Sequence, residues 1–183
     1  MQQALVAWQN FYVIVGSSAG ALTGLQFVVV ALVANMPDTR PFARTASVFA
    51  TPTIVHFGAV LVLSGIFSAP WKGIGGPMAL VAVAGAVGFA YCTVVARRAH
   101  RVEDYKAVME DWIFHVLLPA TAYLTMAIAA AESLKHAEAA LFAVAGTALA
   151  LLVVGIHNAW DSVVYIVTQR IPLEHERHRD RHR

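Results

Sequence analysis

The stretch GIHNAWDSVVY, residues 155–165, contains the side chains of this sequence that are best suited to chemistry. His157 and Asp161 are four residues apart, so a helix places them on one face, and Tyr165 continues the same stripe. Asn158 lies beside that stripe. An imidazole next to a carboxylate can ligate a metal ion or pass a proton. The surrounding residues are apolar, so the chemistry open to His157 and Asp161 depends on the helices that position them.

The composition predicts an integral membrane protein. Hydrophobic residues form 58% of the chain and charged residues 13%, and the mean hydropathy is +0.63. Soluble domains are about half apolar and about a quarter charged. The single cysteine, Cys92, leaves no basis in this sequence for a disulfide framework or a cysteine-based metal motif.

Five stretches are long and apolar enough to cross a bilayer, which takes about 20 residues for about 30 Å of hydrocarbon. Five of the seven prolines stand at or beyond their ends, where helix breakers belong. The sequence therefore predicts an all-α, polytopic bundle of five transmembrane helices over residues 1–169 and a basic, His-rich cytoplasmic tail at 170–183. The predicted spans are 4–36, 47–69, 78–99, 112–131 and 138–168.

Lys and Arg are distributed unevenly between the two sides of the predicted bundle. The side that holds the N-terminus has only Lys72 and Lys135, and the opposite side has the other eleven of the thirteen. By the positive-inside rule, the N-terminus is outside and the C-terminus is cytoplasmic. We expect a multi-pass protein of a prokaryotic inner (plasma) membrane, a prokaryote being suggested by the Ala- and Arg-rich composition.

The ionisable residues inside the predicted spans share one depth. Away from the span ends, Asp161 is the only Asp, Glu, Lys or Arg, and His56, His115 and His157 join it in the cytoplasmic half. The outer half has only small or weakly polar groups, among which we place Tyr123. Ionisable side chains cost a few kcal/mol to insert into a membrane and are usually functional. The sequence therefore predicts one polar site in the cytoplasmic half.

The leading hypothesis for this site is a transition metal ion (Zn, Cu or Fe), used for redox or metal handling. Neutral imidazole is the commonest protein ligand for these metals, and His56, His115, His157 and Asp161 form a set of four ligands. A haem held by two histidines is a variant. Further polar residues are predicted to orient the ligands or to relay protons: Asp111, Asn158, Tyr165, Tyr91 and Gln26.

Proline is expected to free one backbone acceptor at this depth. Pro119 has no N–H, and it lies four residues after His115. In an α-helix the carbonyl of His115 therefore loses its partner. We expect this carbonyl to accept a hydrogen bond from water, a side chain or an ion.

The alternative hypothesis is a homo-oligomeric ion channel or a proton-coupled transporter that uses the same His and Asp residues as relay or gate. His and Asp at helical spacing are typical of proton relays in membranes. Gly16, Gly20 and Gly24 form a smooth face on the first helix for close packing, either within the bundle or between subunits. Since 183 residues supply few helices to enclose a pathway, we expect a homo-oligomer.

The polar residues have a third interpretation, in which they only tie helices together by hydrogen bonds. The sequence does not decide between an enzyme, a transporter and a structural protein. The expected partners are the lipid bilayer and, for the basic tail, anionic lipid headgroups. Nucleic acid is not an expected partner, because the basic patch is short and lies beside a membrane.

Overall fold

The computed structural model describes the backbone of residues 2–34, 40–99 and 109–181, and side chains mainly within 5–32, 51–97 and 112–164. The described part of the chain is helical. The elements in chain order are α1 (Gln2–Ala34), α2 (Arg40–Ser68), α3 (Gly75–Ala99), α4 (Met109–Trp112), a π-helical turn (Ile113–Leu117), α5 (Leu118–Glu132) and α6 (Ala137–Arg181).

Five segments within the described residues are long and apolar enough to cross a membrane, which agrees with the number predicted. They are Leu5–Leu32, Thr51–Ser68, Gly75–Arg97, Ile113–Glu132 and Ala137–Val164. These five apolar segments indicate a multi-pass membrane protein.

Two elements differ from the expected helices. The fourth predicted span begins with the short helix α4 and a π-helical turn, and only then continues as α5. The last helix does not end near residue 168 but runs for 45 residues to Arg181. Glu and Arg, which favour helix, are frequent after Pro172, and their preference opposes the cost of the proline. The side chains of the predicted tail lie outside the described residues.

The helices pack in the spatial order α1, α2, α6, α5, α3, with further contacts between α2 and α3 and between α1 and α6. Most of the side chains buried between them are apolar. Phe57, Val60 and Leu63 of α2 are fully buried, and so are Leu151 of α6 and Met126 of α5. The pair α2 and α6 therefore forms the centre of the bundle.

Two glycines allow the helices around this centre to approach closely. A side chain at Gly155 in α6 would collide with the ring of Phe57 in α2, and one at Gly88 in α3 would collide with the ring of Tyr123 in α5. These contacts fix Phe57, the neighbour of His56, against α6. They also fix the tyrosine ring that lies opposite His56.

The predicted glycine face of α1 packs against α2 at one end and is exposed at the other. A side chain at Gly16 would collide with Ser64 of α2, and one at Gly20 would come within 3.9 Å of Leu61. Gly24 is exposed, and a side chain there would meet nothing within 4 Å among the described residues. Gly16 therefore serves packing between α1 and α2 inside the chain.

Candidate functional site

A buried polar contact joins α2 to α5. His56 is 1% exposed, and its Nδ1 lies 3.0 Å from the hydroxyl of Tyr123, which is also buried. His115, in the π-helical turn, is buried as well and lies close enough to His56 for the two imidazoles to interact electrostatically. Sequence reasoning missed Tyr123 because it assigned this residue to the outer half of the bundle.

The depths of His56 and Tyr123 in their predicted spans indicate that the two residues could meet. At about 1.5 Å per residue, His56 is about 13 Å from the predicted start of its span, and Tyr123 is about 16 Å from the start of its own. Both spans enter from the same predicted side, so the two residues lie at nearly one level. Assigning His56 to the cytoplasmic half and Tyr123 to the outer half concealed the similarity of their depths.

The π-helical turn presents a backbone carbonyl to the interior. In it the N–H of Leu118 bonds to the carbonyl of Ile113, five residues earlier. With the same five-residue step, the partner of the Phe114 carbonyl would be the N–H of residue 119. That residue is Pro119, which has no N–H to donate. The amide Nδ2 of Asn158 donates to this carbonyl over 3.4 Å. Asn158 is fully buried, so it supplies from α6 the donor that proline removed from the helix.

This contact is made by the carbonyl next to the one predicted, which was that of His115. The prediction assumed α-helical spacing, in which the partner of a carbonyl is four residues ahead. A π-helical turn moves that partner to the fifth residue. The carbonyl opposite Pro119 is consequently that of Phe114, and the proline alone did not reveal the change of register.

His157 and Asp161 are in direct side-chain contact at the edge of the bundle. His157 Nε2 lies 3.0 Å from Asp161 Oδ2, and the side chains are 27% and 48% exposed respectively. The imidazole of His157 also stacks on the ring of Phe114, with centroids 3.6 Å apart and planes at 24°. Two successive residues of α6 thus hold Phe114, one by its ring and the other by its carbonyl.

The four predicted metal ligands are not brought together as one group. Within the described residues, no three His, Cys, Asp or Glu side chains have an arrangement that could hold a metal ion. His56 is in the interior beside Tyr123, whereas His157 is paired with Asp161 towards the surface.

The other predicted site residues have different positions. Gln26 in α1 is buried, and Tyr91 in α3 is half-buried and near enough to Tyr123 to interact with it electrostatically. The side chains of Asp111 and Tyr165 lie outside the described residues, so their predicted roles remain predictions.

Five polar side chains among the described residues are distributed across the bundle, and together they are called the polar band. It runs from Tyr123 and His56 in the core, through Asn158 at the π-helical turn, to His157 and Asp161 at the surface of α6. Imidazole, carboxylate and phenol groups exchange protons, and the carboxylate also attracts cations.

No family model, no curated protein and no solved structure matches the chain.

Proposed function

We propose that this chain is a membrane protein that moves protons or small cations across the bilayer, as an ion channel or a proton-coupled transporter. The single observation that carries the proposal is the contact of His157 Nε2 with Asp161 Oδ2, at 3.0 Å between two partly exposed side chains. Histidine and aspartate side chains at helical spacing are typical of proton relays in membrane proteins, where a carboxylate also attracts cations. Such a pair can accept a proton on one side and release it on the other.

The surroundings of the pair support an oligomer. Asp161 lies in the apolar segment Ala137–Val164. Neighbouring side chains on the same helix are exposed and apolar: Val153, Ile156, Trp160 and Val164. A half-exposed carboxylate is costly against lipid but not against a second subunit or water in a pore. We therefore propose a homo-oligomer in which this face of α6 lines the pathway.

The proposed placement is a prokaryotic inner membrane with the N-terminus outside. The uneven distribution of Lys and Arg supports this orientation, because the residues of α6 after Asp161 lead to the basic tail. In this placement the contact of His157 with Asp161 lies in the cytoplasmic half. The tail, at residues 170–183, is proposed to contact anionic headgroups.

Proton and cation flux into liposomes tests the proposal. Asp161→Asn removes the carboxylate charge, and we expect it to abolish the flux that the wild-type protein supports. Glu132→Gln is the matched control, because Glu132 forms an exposed ion pair with Lys135 at 3.6 Å, at the opposite end of the bundle. It should leave the flux unchanged. A wild-type protein that is monomeric and carries no flux contradicts the proposal.

A transition-metal or haem site is the second candidate, and one observation favours it. The Nε2 atom of His56 is buried and has no hydrogen-bond partner among the described residues, and this ring nitrogen commonly ligates metals. The test is metal analysis and an optical spectrum of the purified protein. Metal or haem that is present in the wild type and lost in His56→Gln supports this candidate, whereas a metal-free wild type rejects it.

A further inference from the structure

Two buried polar atoms near the centre of the bundle have no hydrogen-bond partner among the described residues. They are Nε2 of His56 in α2 and Oδ1 of Asn158 in α6. Both side chains are almost completely buried. A buried polar atom without a partner costs free energy, and proteins usually satisfy it with another group or with water.

The contact with Tyr123 determines what Nε2 of His56 offers. The hydroxyl of Tyr123 makes no other hydrogen bond to the described residues, so its proton goes to Nδ1 of His56. A neutral imidazole with Nδ1 as acceptor carries its own proton on Nε2. The unpartnered nitrogen of His56 is therefore a donor.

The contact with Phe114 determines what Asn158 offers. A backbone carbonyl can only accept a hydrogen bond, so the side-chain atom of Asn158 that faces the Phe114 carbonyl must be the nitrogen Nδ2. This bond fixes the orientation of the Asn158 amide. The other amide atom, Oδ1, is then an acceptor. One buried donor and one buried acceptor are thus left over, on two adjacent helices.

The packing of α2 on α6 places His56 and Asn158 each within one helical turn of a direct contact between the two helices. Phe57, which follows His56, packs directly on Gly155, which is three residues before Asn158. A water molecule spans a gap between donor and acceptor that is too wide for a direct bond. Buried waters typically make about three hydrogen bonds to such polar groups.

We infer that His56 and Asn158 hold one buried water molecule between α2 and α6. The water accepts from Nε2 of His56 and donates to Oδ1 of Asn158. A continuous chain of hydrogen bonds then leads from Tyr123 through His56, the water and Asn158 to the carbonyl of Phe114. This inference does not depend on proton or cation movement by the protein.

Nuclear magnetic resonance of the full chain in lipid, with ¹⁵N-labelled histidine, tests this inference. We expect the proton of His56 on Nε2 and not on Nδ1, and a cross-peak between that proton and a bound water. Asn158→Leu should lose the cross-peak. Ser162→Ala should retain it, because the Ser162 hydroxyl bonds only to the backbone carbonyl of Asn158 among the described residues.

A second variant keeps the test decisive if Asn158→Leu does not fold. Tyr123→Phe removes the donor to Nδ1, and part of the His56 population should then carry its proton on Nδ1, with a weaker water cross-peak. A wild-type His56 protonated on Nδ1, a metal on Nε2, or a direct bond from Nε2 to Asn158 overturns the inference. So does a cross-peak that persists in Asn158→Leu.

Discussion

Tyr12 and Tyr123 are both buried tyrosines, but their hydroxyl groups have different surroundings. The Tyr123 hydroxyl bonds to Nδ1 of His56, whereas that of Tyr12 has no partner among the described residues. Tyr12 is held by its ring, which stacks on Phe67 with centroids 4.4 Å apart. The same deletion of one oxygen atom should therefore have two different effects.

We expect Tyr123→Phe to lower the free energy of unfolding by about 1–3 kcal/mol, because it leaves Nδ1 of His56 buried without a donor. Tyr12→Phe should be neutral or slightly stabilising, since it removes a buried hydroxyl that has no partner among the described residues. Chemical unfolding in detergent micelles measures both. Equal losses in the two variants would show that the bond to His56 contributes nothing.

Glycine at position 155 is required by the close approach of Phe57, whereas Gly146 of the same helix has nothing within 4 Å of an added side chain. Gly155→Ala should therefore destabilise the protein by about 1–3 kcal/mol through overpacking. Gly146→Ala should be neutral or stabilise by up to about 1 kcal/mol, because alanine favours the helix. Thermal unfolding of the two variants compares them, and a stable Gly155→Ala would contradict the contact with Phe57.

The π-helical turn connects α5 to the polar residues of α6. It directs the carbonyl of Phe114 towards α6, where Asn158 replaces the N–H that Pro119 lacks. Turns of this type occur frequently at functional sites, because they change the direction of backbone groups within a helix. Proline and asparagine are therefore expected to act as a coupled pair, although they lie in different helices.

A double-mutant cycle measures this coupling. Asn158→Leu alone leaves the Phe114 carbonyl without its donor and should cost about 1–3 kcal/mol. Pro119→Ala restores a backbone N–H, so in that background the cost of Asn158→Leu should fall by about 0.5 kcal/mol or more.

The control for this cycle is Pro77→Ala, because Pro77 lies in the first turn of α3, where a missing N–H is tolerated. It should show no coupling to Asn158. Additive effects of the Pro119 and Asn158 substitutions would mean that the side chain does not compensate for the proline.

The sequence predicts helices better than it predicts the register between them. Hydropathy locates five apolar segments because each needs only length and composition. The pairing of His56 with Tyr123 depends on how α2 packs against α5, which no spacing within one helix determines. The pair of His157 with Asp161, by contrast, is local to α6 and was found from its four-residue spacing.

At the scale of the whole molecule, the proposed orientation predicts which positions react with a membrane-impermeant thiol reagent. The native Cys92 is buried and should give little background. Lys135→Cys should be labelled from outside intact cells, and Arg97→Cys only after the membrane is opened, because both positions are exposed and lie on opposite predicted sides. Labelling of Arg97→Cys in intact cells would reverse the orientation.

The length of α6 links the polar band to a distant point of the molecule. Its 45 residues extend over about 67 Å, more than twice the hydrocarbon thickness of about 30 Å. From Asp161 to Arg181 the helix covers about 30 Å, so a tilt of about 10° at the band displaces its far end by about 5 Å. A small tilt of α6 at Asn158 and His157 would thus be magnified into a larger displacement at its C-terminal end.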